Sequence, residues 1–342
     1  MRRTVLACVA AVLVAVGASC RDDAPSDLAA VLDALPEPMA VTTSTEVAAP
    51  AATRQKRREC DDGELPTASL RPDEAAIRGD APAGGAIAAI RERRRLRVGL
   101  DENTLGFSSR NPETGDIEGF EADLATAIAA RIFGDDGSDR VEQVPVVTDE
   151  KIAAVTDGSV DMTISANSMT CNRWQDVAFS TEYYTAHQHF LVREDSPVHS
   201  LDDLAGRSVC VTTRSTSLDI LGWLAPEAEP APVRDRTGCL LGLLEGEVDA
   251  YFGHDSFLYG MVAQDQTVEA RTELIPPQYA EDTAAHYGIA IGHDHPDLVR
   301  FVNAVLEELR ADGTWAEMHS DLELAIGVPE ADPPPAQYRS ED

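Results

Sequence analysis

The sequence predicts an α/β protein, and three observations carry that prediction. The chain has 342 residues, 43% of them hydrophobic, which is enough to build the cores of two lobes. Short apolar strands alternate with helices of 3.6-residue spacing, as in Leu96–Asp101, Glu121–Phe133 and Val141–Val147. The third observation is the stretch Asp161 to Trp174. A short apolar strand, Val160 to Ile164, breaks there into the small and hydroxyl residues Ser165, Ala166, Asn167, Ser168 and Thr170, and then presents Arg173. Open α/β sheets place ligands at loops leaving the carboxyl ends of their strands.

Charge excludes one class of function. The chain carries 60 acidic against 28 basic residues, a formal net charge of −32, and phosphates of a nucleic acid would be repelled. An anionic small ligand would need local Arg or Lys to overcome this field. The only lysines are Lys56 and Lys151; an arginine-rich, GC-rich codon bias explains that total as well as any functional reading.

The chain opens as an export signal. Met1-Arg2-Arg3 precedes the uncharged run Thr4 to Ser19, too short to span a bilayer comfortably, and Gly17-Ala18-Ser19 stands before Cys20. The pattern is similar to a bacterial lipobox, although Gly17 occupies the position where a large aliphatic residue is usual. The expectation is a signal peptide over residues 1–19 and a diacylated Cys20 that tethers the protein to the outer face of the cell membrane. Cys60, Cys171, Cys210 and Cys239 then remain, an even number that implies disulfides in an exported protein, with three possible pairings. No Cys or His spacing suggests zinc; His293-Asp294-His295 reads as a solvated loop.

Residues 20–83 are rich in Ala, Pro, Thr and charge and read as a tether and N-terminal extension. Within it Leu28–Leu35 could form a short helix, and Arg54–Arg58 is a basic run facing solvent or anionic lipid. Gly84 to Arg95 has helical spacing. Leu96 to Asp101 is the first strand, delivering Glu102 to Phe107 to a loop, and Pro112–Gly115 is a turn. The helix Glu121 to Phe133 has Glu121 and Asp123 in its first turn, where capping and lobe packing account for them. Strand Val141–Val147 and a helix from Lys151 follow. Cys210 lies in a strand, and Ser215, Thr216 and Ser217 open a helix whose N–H groups can form an anion nest. Ala250 to His254 is a strand ending at Asp255, either a ligand carboxylate or the N-cap of a helix Ser256–Ala263. Asp297–Asp312 is a helix with Leu298, Phe301, Val302, Val305 and Leu309 on one face, and the Pro-rich, acidic residues 328–342 read as a disordered tail.

Taken alone, Ser168, Thr170 and the planar fork of Arg173 fit a site for a small carboxylate, or equally a surface arginine beside a polar loop. The pattern Asp161-Met162-x-Ile164-x-x-x-Ser168-Met169-Thr170-x-x-Arg173, then Val177-Ala178-Phe179-Ser180-x-x-Tyr183-Tyr184, resembles the polar amino-acid family of extracytoplasmic solute-binding proteins, the capture components of amino-acid ABC transporters. It is most similar to the glutamate, aspartate and glutamine-binding lipoproteins of high-GC Gram-positive bacteria, from about Arg91 to about Ala325. The resemblance implies a type II periplasmic-binding fold with two crossover hinge strands and the ligand in the interlobe cleft. Lobe one would be residues 84–187 plus 285–327 and lobe two residues 188–284.

By that resemblance Arg173, with the N–H groups at Ala166 and Ser168, takes the ligand α-carboxylate, and Asp255 takes its ammonium. Ser215 and Thr216 hold it from lobe two, and Lys151 faces a side-chain carboxylate. Leu105 and Phe107 share the place of an aromatic lid. Arg214 stands where relatives usually carry glycine, and either folds over the ligand or points to solvent. The resemblance also places the helix opened by Cys239 beside the strand of Cys210, implying Cys210–Cys239 and, with it, Cys60–Cys171.

The function expected is capture of a polar or acidic L-amino acid by a monomer that docks on an ABC permease or a membrane sensor, without cofactor, metal or catalytic residue. A dehydratase of small carboxylic acids, with Glu102 as the acid, and an adhesin that has lost its ligand are the other classes. Turnover would identify the first; absence of stoichiometric ligand binding would identify the second.

Overall fold

The computed structural model describes residues 60–73, 75, 85–134, 137–271 and 274–340. The signal peptide, Cys20, the Leu28–Leu35 helix and the Arg54–Arg58 run lie outside the described residues.

Two five-stranded sheets organise the chain, and they share one strand order. The first runs Val141–Pro145, Leu96–Leu100, Met162–Thr163, Ala290–Ile291, Ala178–Phe179. Its first three strands are parallel, and Ala290–Ile291 is antiparallel to both its neighbours. The second runs Glu229–Val233, Ser208–Thr212, Ala250–His254, Gln188–Arg193, Val268–Arg271, again with three parallel strands and then an antiparallel fourth. In each sheet that fourth strand is the one the chain enters after crossing from the other lobe. The crossovers themselves, Tyr184–Ala186 and Ala285–Tyr287, pair antiparallel as a two-stranded hinge. Each crossover is set off from the strand that follows it: His187 separates Tyr184–Ala186 from Gln188–Arg193, and Gly288 and Ile289 separate Ala285–Tyr287 from Ala290–Ile291.

Packing follows from the apolar spacing. In the lobe-one helix Pro296–Asp312, Leu298, Val302, Val305 and Leu309 lie on one face and are buried against Leu96, Val98 and Leu100 of the first strand and Leu124 and Ile128 of helix Phe120–Phe133. Burying one such side chain stabilises by roughly 1.5–3 kcal/mol. The lobe-two sheet is covered on both faces. Phe190, Val209, Val211 and Phe252 enter one cluster, while Leu191, Cys210 and Tyr251 enter the other. Strands buried on both faces need no polar alternation, which is why Ser208–Thr212 reads as a nearly continuous apolar run. Both disulfides form as the resemblance implied, Cys210–Cys239 inside this second cluster and Cys60–Cys171 at the edge of lobe one.

The segment 328–342 is a correction. Residues 328–340 are not a free tail but lie along lobe one, with Val328 buried and Tyr338 in a parallel bridge with Ser69. Composition measures only what a segment can bury by itself. Here the backbone partners come from residues 64–69, and the Tyr338 ring lies 5.4 Å under the Arg71 guanidinium.

Candidate functional site

At the carboxyl ends of both sheets the lobes meet around a pocket. Lobe one contributes Thr148, Lys151, Ala166, Ser168 and Arg173. Lobe two contributes Thr212, Ser215, Thr216 and Ser217 from the end of one strand and the start of the next helix, Arg236 from another helix start, and His254 with Phe257. The Ser168 and Thr216 hydroxyls stand 3.2 Å apart across the cleft.

Arg173 opens a single 3-10 turn, Arg173–Gln175, directly after the small-residue loop. Its Nη1 donates to Ser168 O at 3.0 Å, which turns the fork back toward the pocket. Burial pulls its pKa down to about 10, opposed by Asp219, so it stays protonated at neutral pH. Lys151 opens its own short helix and is 2% exposed. Its Nζ donates to Ser165 O at 2.7 Å and Ala166 O at 3.0 Å, and an ammonium has a third N–H to offer the pocket. Burial holds its pKa well below the ordinary lysine value; the Arg173 and Arg236 charges push the same way, and Glu121 and Asp101 oppose.

Beneath the loop lies Glu121, fully enclosed. It accepts from the Ala166 N–H at 2.7 Å, the Tyr183 hydroxyl at 2.5 Å and the Ser108 hydroxyl at 3.1 Å. Burial raises its pKa, with those hydrogen bonds opposing. Its role is therefore more than helix capping: it fixes Ala166 in the left-handed region, at φ 47°. The expected use of the Ala166 N–H by a ligand is corrected, because Glu121 already takes it.

Arg236 is the residue that reading the sequence missed. It is 6% exposed, and its Nη1 donates to Asp101 Oδ2 at 2.8 Å and Thr104 Oγ1 at 2.7 Å, both on lobe one. Its guanidinium also lies 4.5 Å over the Phe257 ring. The available signal was the run Arg234-Asp235-Arg236, with Asp235 capping the helix Arg236–Glu245 through the Gly238 N–H. Arg234 also crosses the cleft, to Asp149 and Glu150. His254 is kept neutral, its pKa lowered by burial and then by Arg236, Lys151 and Arg173, and it bonds the hinge residue Tyr287.

Five expected residues do not line the pocket. Asp255 begins the helix Asp255–Gln264, one residue beyond His254; its Oδ2 is 3.3 Å from His187 Nδ1, and its buried Oδ1 has no hydrogen-bond partner. Arg214 is exposed, in the left-handed region at φ 54°, a conformation that favours glycine. Phe107 is 1% exposed, edge-on to Tyr184 at 4.9 Å, because the core of lobe one offers it more apolar surface than the cleft does. Leu105 instead packs at the lobe-two helix, where a Cβ on Gly260 would stand 2.7 Å from Leu105 O. Glu102, the candidate acid of the enzyme reading, pairs with Arg110 on a surface hairpin.

Residues 96–321 match the model of the bacterial extracellular solute-binding proteins, family 3. The chain belongs to that family. It is 29% identical over 234 residues to the ABC transporter glutamine-binding protein GlnH of Bacillus subtilis, covering 68% of this chain and 82% of the relative. It is 29% identical to the glutamate-binding protein GluB of Corynebacterium efficiens, over 69% of this chain and 81% of that one. Among solved structures, a mutant of ArgBP from T. maritima aligns with TM-score 0.61 and 28% identity, covering 71% of this chain and 99% of that chain. In this family-3 chain the matched span holds every residue of the pocket. The segments 60–73 and 328–340 lie outside it.

Proposed function

We propose that the cleft captures an L-amino acid with an acidic or amide side chain, glutamate or aspartate and then glutamine or asparagine, for an ABC permease or a membrane sensor. The observation that carries this reading is the convergence of Lys151, Arg173 and Arg236 on one pocket in a chain of net charge −32. The α-carboxylate pairs with Arg173 and the Ser168 and Thr216 hydroxyls. The side-chain oxygens meet Lys151 and Arg236. Lipid anchoring through Cys20 keeps the protein at the outer membrane face. The test is isothermal titration calorimetry on the full chain, stripped of ligand by unfolding and refolding with its disulfides intact. One-site binding of glutamate, aspartate, glutamine or asparagine, at micromolar affinity or tighter, is expected. No heat from any of the four, with folded protein, overturns the reading.

A further inference from the structure

Two segments outside the family's matched span, residues 60–73 and 328–340, run side by side and converge on the short loop that carries Arg173. They are joined to each other. The Ser69 N–H donates to Gln337 O at 3.0 Å and the Arg339 N–H to Ser69 O at 2.9 Å. The Arg339 guanidinium reaches Asp62 at 2.9 Å, and the Ser340 N–H donates to Glu64 Oε1 at 2.8 Å. Lobe one holds the pair in place: Ser69 Oγ donates to Phe179 O at 2.6 Å, and the Asn303 amide donates to Ser69 Oγ and Leu70 O.

The joined segments grip the loop on both sides of Arg173. Two residues before it, Cys171 is bonded to Cys60. One residue after it, the Trp174 indole N–H donates to Pro66 O at 2.7 Å, while the Arg339 guanidinium lies 4.2 Å over the Trp174 ring. Lobe one also holds the loop, with the Val177 N–H donating to Arg173 O at 3.0 Å and Trp174 edge-on to Phe179 at 5.4 Å. The loop's own backbone closes through the Trp174 N–H to Thr170 O at 3.0 Å, and Asn172 is exposed. Within the loop the Arg173 fork is held by its one hydrogen bond to Ser168 O, and a single 3-10 turn is a short frame for it, so the outside contacts add to its placement.

We propose that these segments form a strap that positions Arg173 for its ligand, with Cys60, Cys171, Trp174 and Arg339 as positioning residues. The proposal rests on the reading of Arg173 as the partner of the ligand carboxylate. A loop held in its bound geometry beforehand loses less freedom on binding, so the strap raises affinity without touching the ligand.

The test uses the full chain in three forms: Arg339→Ala, Arg339→Lys, and Cys60→Ser combined with Cys171→Ser. Two quantities are read at a temperature where each form is folded. One is amide hydrogen exchange at Trp174 and Val177, compared with the lobe-two strand Ser208–Thr212. The other is the Kd for L-glutamate and L-glutamine. Faster exchange at Trp174 alone is expected in the Arg339→Ala and double-serine forms. Kd is expected to weaken about tenfold without the disulfide and about threefold in Arg339→Ala, with Arg339→Lys restoring most of it. A merely structural strap would lower the melting temperature and leave Kd unchanged; that result, or unchanged Trp174 exchange, overturns the proposal. If the wild type binds neither probe, the ligand reading falls, while the exchange comparison still decides whether the strap holds the loop.

Discussion

On the lobe-one wall of the cleft the cations are held by their own lobe. Lys151 is fixed by the Ser165 and Ala166 carbonyls, Arg173 by Ser168 O, and the loop between them by Glu121 from below. On the lobe-two wall the cation has its partners on the other side: Arg236 bonds Asp101 and Thr104 of lobe one. One wall is therefore complete within its own lobe, and the other is complete only where the lobes meet. The crossovers Tyr184–Ala186 and Ala285–Tyr287 pair with each other between the two walls, and the proposed capture requires hinge motion there. On the proposed reading the difference is a division of labour, in which lobe one captures the carboxylate and lobe two retains it.

Mutations can break that comparison wall by wall. Arg173→Ala removes the carboxylate fork and has the largest expected effect, a loss of about 2–5 kcal/mol in amino-acid binding, as for truncating one partner of a buried charge pair. Calorimetry checks it. Arg236→Met leaves Asp101 without its partner in the cleft. It is expected to weaken glutamate about tenfold, chiefly through faster release, because retention is the lobe-two contribution. Stopped-flow displacement measures that release, and an unchanged off-rate would remove Arg236 from the retaining wall.

Smaller effects sharpen the same contrast. The Lys151 pKa is held below that of a free lysine, so its charge is lost earlier as pH rises. Glutamate affinity is therefore expected to fall as pH rises, at a pH below the ordinary lysine range, while glutamine affinity changes less. In Lys151→Met that extra dependence disappears. Gly260→Ala should favour its own helix by up to about 1 kcal/mol, yet its Cβ would press on Leu105 O across the lobes. A severalfold weaker Kd without loss of lobe-two stability, read by calorimetry and hydrogen exchange, would show that Gly260 serves closure.

The same division decided what the sequence made legible. Ser168 and Arg173 were readable because a strand, a small-residue loop and a cation lie consecutively in one lobe, and Lys151 through the family resemblance. Ser215 and Thr216 were readable as a helix start. Arg236 was not, because its partners Asp101 and Thr104 are more than a hundred residues away and the pair exists only in three dimensions. Phe107 was misassigned for the opposite reason: its neighbours suggested the cleft, but Tyr184 and Phe120 draw it into the core. The alternation of strands and helices located most elements to within a few residues. Composition failed at residues 328–340, where the bridge partner of Tyr338 is the distant Ser69.

The measurement that tests the central claim most directly is the affinity of the ligand-stripped wild type for L-glutamate against L-arginine, by calorimetry at neutral pH. Three converging cations predict that glutamate binds at least about tenfold more tightly, and that Arg173→Ala removes this binding. Arginine binding as tightly as glutamate, or glutamate binding that survives Arg173→Ala, would contradict a cleft built around positive charge.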